Sequence, residues 1–209
     1  MNDHSVPLRR GRKFDQVIDG ARDVFLRAGF ESANMDDVAR TSGVSKATLY
    51  SYFPDKARLF IEVVQAECAR QEAEALKQID LEADPKQVLT KAAHHMLAFI
   101  ISDFGQRMFR ICVAEVERFP QLGAAFYESG PSAVRLKLRE YFEGAIARGE
   151  LEIDDLSLAA DQFAELCKAD IFPQLVFGMR TKVSQAEVAR VVDGAVATFM
   201  ARYGAAPGG

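Results

Sequence analysis

The apolar residues Phe14, Val17, Ile18, Ala21, Val24, Phe25 and Ala28 recur at steps of three and four, and the stripe stops at Gly29. That period predicts one amphipathic helix. Asn34 is placed to cap a second, short helix, with Asp36 and Asp37 in its first turn where the helix dipole favours negative charge. The second helix is expected to end near Ser42 and Gly43. Ser45 then caps a third helix running to about Phe53, before Pro54 and Asp55 restart the chain as a long fourth helix led by Leu59, Phe60, Val63 and Val64.

Helical periodicity continues to the end of the chain. Pro85 opens a helix carrying Val88, Leu89, Ala92, Met96 and Phe99. Another is predicted from about Gln106 to Arg118, bounded by Phe119 and Pro120, and followed by a segment to Gly130. Three more are predicted: Pro131 to Gly149, Asp155 to Phe177, and Ser184 to Tyr203. No segment of strict alternation competes, so the fold class is all-α, and the Gly/Pro-rich end from Gly204 to Gly209 should fray.

Composition narrows the class. The 209 residues are 49% hydrophobic and 27% charged, which is globular, and a chain of this length buries enough surface to need no staple. The longest purely apolar run, Met96 to Ile101, is too short to span a membrane, and the basic N-terminus lacks a signal-like apolar region. A cytoplasmic protein with no membrane partner is expected. Cys68, Cys112 and Cys167 are odd in number and far apart, as core thiols are, and no spacing suits a metal or a cofactor.

Charge is uneven along the chain. The segment through Arg58 holds ten Lys and Arg against eight Asp and Glu, whereas the remainder holds 16 against 22. Arg9, Arg10, Arg12 and Lys13 form a basic cluster ahead of the first helix, a feature of arms drawn to polyanions as well as of plain solvated termini.

The run Val38-Ala39-Arg40-Thr41-Ser42-Gly43-Val44-Ser45-Lys46-Ala47-Thr48-Leu49-Tyr50 has helix-turn-helix spacing. Ala39 is small enough for close crossing, Gly43 tolerates the positive φ of a tight turn, and Val44 and Leu49 face inward. The third helix then exposes Ser45, Lys46, Ala47, Thr48, Tyr50, Ser51 and Tyr52. Its N-terminal amides attract phosphate, Lys46 reaches phosphate or guanine, and Ala47 with the Thr48 methyl permits close approach to base edges. Tyr50 and Tyr52 offer hydroxyls to the DNA backbone, and Lys56 is placed for a further phosphate.

From Lys13 to Phe60 the chain resembles the TetR family of transcriptional regulators. The carriers are Gly29-Phe30, Met35-Asp36-Asp37-Val38-Ala39, Gly43-Val44-Ser45, Thr48-Leu49-Tyr50, Tyr52-Phe53, Asp55-Lys56 and Leu59-Phe60. Where that family often has Thr or Ser before the second helix, this chain has Asn34. Ala114 to Pro120, Phe126-Tyr127 and Gly130-Pro131 resemble the C-terminal domain of an AcrR- or AefR-like subgroup. The resemblance implies a flexible basic arm (1–12), a helix-turn-helix domain (13–58) and a helical ligand-binding and dimerisation domain (59–209). It further implies a homodimer on a pseudo-palindromic double-stranded operator, released when a small, mostly apolar effector binds, and so most often a repressor.

For the second domain, Phe104, Met108, Ile111, Cys112, Phe126, Tyr127 and Phe163 are either plain core or the lining of an effector pocket. Glu115 and Asp170 lie on apolar stripes and are either structural acids paired with arginines such as Arg107 or Arg110, or ligand contacts. Phe163, Val188, Val192, Ala195 and Phe199 on the last two helices are assigned to a dimer interface, with packing inside one subunit as the alternative. His94-His95 has Phe99 where an acyltransferase's HHxxxD pattern needs Asp, and no P-loop, nucleophile elbow or dinucleotide fingerprint occurs, so an enzyme is not expected. A protein-binding adaptor would leave the arm and the Lys46 to Tyr52 face unexplained.

Overall fold

The computed structural model describes residues 11–205, and among them helices account for nearly all regular structure. In chain order these are α1 (Arg12–Ser32), α2 (Met35–Ser42), α3 (Lys46–Tyr52), α4 (Lys56–Gln78), α5 (Pro85–Ile101) and α6 (Asp103–Ala114). Then come α7 (Pro120–Tyr127), a π-helical turn (Glu128–Ser132), α8 (Ala133–Ala147), α9 (Leu156–Leu166), α10 (Ile171–Val176) and α11 (Gln185–Tyr203). No helix among the described residues is long and apolar enough to cross a membrane, and none of their His, Cys, Asp and Glu groups could hold a metal.

The chain forms two compact units. The first takes in the described residues up to Glu67 together with Arg107–Phe126, and the second Cys68–Gln106 with the described residues from Tyr127 onward. In the first, the α1 stripe of Phe14, Val17, Ile18, Ala21, Val24 and Phe25 is buried as its periodicity predicts. Phe60 of α4 meets Phe25 and Phe30 edge-on at ring separations of 5.1 and 5.4 Å, and Phe119 meets Phe30 at 5.1 Å. Residues 107–126 are therefore part of the core under the first three helices. Gly29 takes φ +74° and interrupts α1 where the stripe ends.

The second unit centres on Phe199, which stacks on Phe142 at 5.1 Å, meets Phe163 edge-on at 5.2 Å and tilts against Tyr203 at 4.8 Å. Around it pack Leu89, Leu97, Leu138, Ile171, Leu175 and Val192, all buried. Ser184 and Glu187 form a reciprocal capping box that opens α11. Bonds from the Ser184 backbone and hydroxyl hold the Glu187 carboxyl down to about 2.

Three sequence expectations need correction. The single helix from Asp155 to Phe177 is broken between α9 and α10, with Asp170 at φ +66°. Pro173 explains the break, because inside a continuous helix it would clash with the Ala169 carbonyl, whereas in the first turn of α10 its missing N–H costs nothing. The helix placed at Gln106 to Arg118 starts and ends earlier, because the Ser102 hydroxyl accepts from the Gly105 N–H at 3.0 Å, and the Glu115 carbonyl accepts from Arg118 and Phe119 in a closing turn. Of the end expected to fray, Gly204 and Ala205 are held in place, and residues 206–209 lie outside the described residues. Ala205 N–H donates to the Glu150 carbonyl, and Glu152 N–H to Tyr203, around a Leu151–Gly204 bridge.

One glycine sets the packing of α1 on α2. A Cβ built at Gly20 would lie 2.2 Å from Ser42 Oγ and 2.9 Å from the Ser42 backbone nitrogen. Gly20→Ala gains roughly 1 kcal/mol of helix propensity but overpacks this crossing by roughly 1–3 kcal/mol. Urea unfolding followed by circular dichroism should show the variant less stable than the parent, the reverse of what propensity alone gives.

Candidate nucleic-acid interface

Both short helices are capped as their sequences require. Asn34, in extended backbone, accepts from the Asp37 N–H at 2.7 Å, and Ser45 accepts from the Thr48 N–H at 3.1 Å. Between them Gly43 is left-handed at φ +65°, the Val44 N–H reaches the Ala39 carbonyl at 3.1 Å and the Gly43 N–H reaches Arg40 at 3.2 Å. That is the Schellman pattern, which ends α2 and turns the chain within three residues. Ala39 and Leu49 are buried and Val44 half-buried, so the crossing is locked from beneath.

Above that support, Ser45, Lys46, Ala47, Tyr50 and Ser51 are exposed and Thr48 is half-buried. Tyr50 is 48% exposed. Lys46 Nζ pairs with Asp36 at 2.6 Å, both on the surface, so little holds the lysine there against a competing anion. Tyr52 lies edge-on to Phe14 at 5.8 Å and is half-buried, so its ring supports α1. Arg12 is exposed at the first position of α1, whereas Arg9 and Arg10 lie outside the described residues.

Lys56 departs from the phosphate-facing placement read from the sequence. Its ammonium donates to the carbonyls of Glu31 and Ala33, each at 2.9 Å, and sits 4.8 Å over the Phe30 ring. Burial pushes this lysine below its ordinary value. The reason is local: α1 ends beside α4, and carbonyls at a helix C-terminus need a donor. Arg58 likewise turns to Glu62, at 2.7 Å.

Residues 17–63 match the model of bacterial regulatory proteins of the tetR family, and residues 87–205 that of the AefR-like transcriptional repressor C-terminal domain. The chain belongs to the TetR family. A TetR-family regulator structure from Mesorhizobium loti MAFF303099 superposes with a TM-score of 0.85 at 28% identity, over 92% of this chain and 97% of that one. The flavonoid-responsive regulator FrrA is 34% identical, with a TM-score of 0.76 over 93% and 98%. The transcriptional activator FasR of Mycolicibacterium smegmatis is 30% identical over 96 residues, 46% of this chain and 44% of FasR. The chain thus spans less than half the length of such curated relatives, all of them transcriptional regulators and none an enzyme.

The C-terminal part of this TetR-family chain distributes the expected effector residues over both units. Met108 and Cys112 are buried in the first, with Ile111 and Phe126 half-buried. Phe104 and Phe163 are buried in the second, where Tyr127 is exposed. Glu115 is buried and has Arg118 at 3.8 Å, while Arg107 donates instead to the Leu26 carbonyl. Asp170 is not a buried acid: it is exposed and bonded to Arg190 and Gln174. Burial also pushes the Cys167 thiol up to about 12, in keeping with a core thiol.

Phe163, Val188, Val192, Ala195 and Phe199 are all buried within one chain, because apolar residues chosen for an interface were also the best core residues. The outer faces of α9 and α11 instead carry Leu158, Asp161, Glu165, Ala189, Ala197, Thr198 and Ala201. An open groove of about 640 Å3 runs between these helices past Leu158, Leu166 and Ala169. None of the expected effector residues lines it.

The caps give a direct check on the recognition helix. Ser45→Ala leaves the Thr48 N–H unpaired and should cost about 1 kcal/mol, whereas Ser45→Gly should cost only a few tenths. Denaturant unfolding of the three proteins reads that order.

Proposed function

We propose that this TetR-family protein is a homodimeric, ligand-released repressor of a pseudo-palindromic operator. In this reading residues 13–58 hold the DNA, aided by the 1–12 arm with Arg9, Arg10 and Arg12, and residues 59–209 serve dimerisation and effector binding. The observation that carries it is the face of α3, where Lys46, Ala47, Tyr50 and Ser51 stand free of the core on a doubly capped helix pair. Small and hydrogen-bonding side chains at that position suit a major groove. Repression is supported by the AefR-like repressor model over residues 87–205.

A single recognition helix binds weakly, so function calls for two. The outer faces of α9 and α11 suit a second copy: Leu158 is 49% exposed, and the small residues Ala189, Ala197 and Ala201 allow helices to approach closely. For the effector, FrrA is flavonoid-responsive and matches nearly the whole chain, which favours a planar aromatic compound. The buried Met108 and Cys112 of the first unit supply apolar chemistry such a guest needs.

Gel shifts against the DNA flanking its own gene test the central claim. If the dimer neutralises about eight phosphates, log K should fall with log salt at a slope near −7. Ala47→Trp should abolish binding while leaving the helical content intact, and binding insensitive to salt would sink the electrostatic argument. Flavonoids and other aromatic compounds that bind the protein should lower operator affinity roughly 5- to 150-fold.

Dimerisation has its own check. Leu158→Asp puts a charge on a surface that is exposed in the single chain, so it should leave the fold intact and shift sedimentation from dimer toward monomer. A wild-type monomer at micromolar concentration, with or without DNA, would overturn the interface.

A further inference from the structure

Helix α10 ends in a turn that leaves its apolar side chains in water. The Met179 N–H donates to the Gln174 carbonyl at 2.9 Å and the Gly178 N–H to that of Leu175 at 3.1 Å, with Gly178 left-handed at φ +69°. In a turn closed this way the residue after the glycine commonly folds back onto its own helix. Met179 holds that position yet is 76% exposed, and Phe177 before the glycine is 80% exposed, the two most exposed large apolar residues among those described. The tip is firmly based, since Arg180 pairs with Glu187 of the α11 capping box. Its two side chains keep on the order of 300 Å2 of apolar surface in water, a patch of the size that commonly marks a contact.

The same unit carries a groove of matching character. Leu158, Leu166 and Ala169 give the groove between α9 and α11 its apolar surface, and its charged lining is two acids, Asp161 and Glu165, against Arg202. Residues 177–183 include Arg180 and Lys182 and no acid, so tip and groove are complementary in charge as well as in apolarity. They lie toward opposite ends of α11: the tip precedes Ser184, whereas Thr198, Arg202 and Tyr203 line the groove. Along the helix axis Ser184 and Arg202 are about 27 Å apart. Gly194, near the middle, is exposed and has no other part of the chain within 4 Å of where a Cβ would stand. A glycine there costs the helix roughly 1 kcal/mol and serves no packing inside the chain. With the exposed Ala197 and Ala201 on the same face it lets a second helix come close. About a two-fold axis crossing α11 at Gly194, two copies run antiparallel, and a residue ten positions before the glycine comes level with one ten positions after it. Ser184 of one copy then lies level with Gly204 of the other, which brings the tip to the groove end at Arg202 and Tyr203.

We propose that the tip formed by Phe177, Gly178 and Met179 of each copy seats in the α9–α11 groove of the other, so that two exchanged apolar contacts flank a close crossing at Gly194. The proposal rests on the reading that the outer faces of α9 and α11 meet a second copy, and adds which residues of that copy fill the groove. Two seated tips and the groove surface facing them remove on the order of 1,200 Å2 from water, which reaches the size of a specific interface. Because the tip is already closed by its own hydrogen bonds, seating it orders little further chain.

Sedimentation of three full-length chains tests this: wild type, a tip-less chain with Phe177→Ser and Met179→Ser, and a groove-spoiled chain with Leu158→Asp. The replaced side chains are exposed in the single chain, so circular dichroism should show unchanged helical content. Each seated tip should tighten the dimer roughly 10- to 30-fold, so the tip-less homodimer weakens roughly 100- to 1,000-fold. Neither variant by itself has a working tip and groove to pair, whereas a one-to-one mixture restores one such pair. The mixed dimer should therefore form roughly 10- to 30-fold more tightly than either homodimer. In a second arm, chains carrying Met179→Cys and chains carrying Leu158→Cys are given different tags, mixed and treated with a short bismaleimide. The native thiols are buried, and the link should join unlike chains. No rescue in the mixture, or no link between unlike chains, would overturn the proposal. If Leu158→Asp dissociates the dimer while the tip-less chain pairs like wild type, the α9–α11 interface stands and the exchange is wrong. A wild-type monomer at micromolar concentration sinks both.

Discussion

A helix of seven residues cannot hold its own shape in water, because nucleation fixes several residues before the first hydrogen bonds repay it. The recognition helix α3 is seven residues long. Its existence depends on what is fastened to its two ends and its inner face: the Ser45 cap, the fully buried Leu49, and Phe53, which packs against Phe14 at 5.4 Å. The rest of the first unit follows from that need. Helix α1 is long enough to be a platform, Gly20 lets α2 lie close upon it, and the aromatic cluster of Phe25, Phe30, Phe60 and Phe119 keeps α1 and α4 from sliding.

The sequence was most legible where a local rule acts alone. The stripe of α1, the Asn34 and Ser45 caps and the Gly43 turn each depend on a few neighbouring residues, and each is where the pattern put it. Boundaries failed where two signals competed. Pro173 is visible in the chain, yet the apolar period runs through it from Phe163 to Val176, and only the structure shows that the period is carried by two helices with Asp170 between them. Ser102 caps the start of α6, but the apolar run before it masks the break in the sequence.

Long-range pairing was the least legible. Lys56 is plainly a cation at the start of a helix, but that its partners are the carbonyls of Glu31 and Ala33 depends on how α1 ends, some 25 residues earlier. The interface residues failed for a different reason. Apolarity marks whatever leaves water, and in α9 and α11 that is the shared core around Phe199, so what these helices leave exposed is mostly small and polar, with Leu158 among it. Gly20 gave a weak signal only: a glycine inside a strong helical pattern points to close approach, though not to which element approaches.

The face of α3 divides its residues by duty. Ser45 and Leu49 carry the scaffold, while Ala47, Tyr50 and Ser51, interleaved with them, are exposed and bury nothing that the fold needs. Surface replacements of that kind typically change stability by no more than about 0.5 kcal/mol. In the regulator reading proposed above, target preference can therefore drift through single replacements at those three positions without passing through an unfolded ancestor, and duplicated copies of the gene could part ways in what they read long before they part ways in shape.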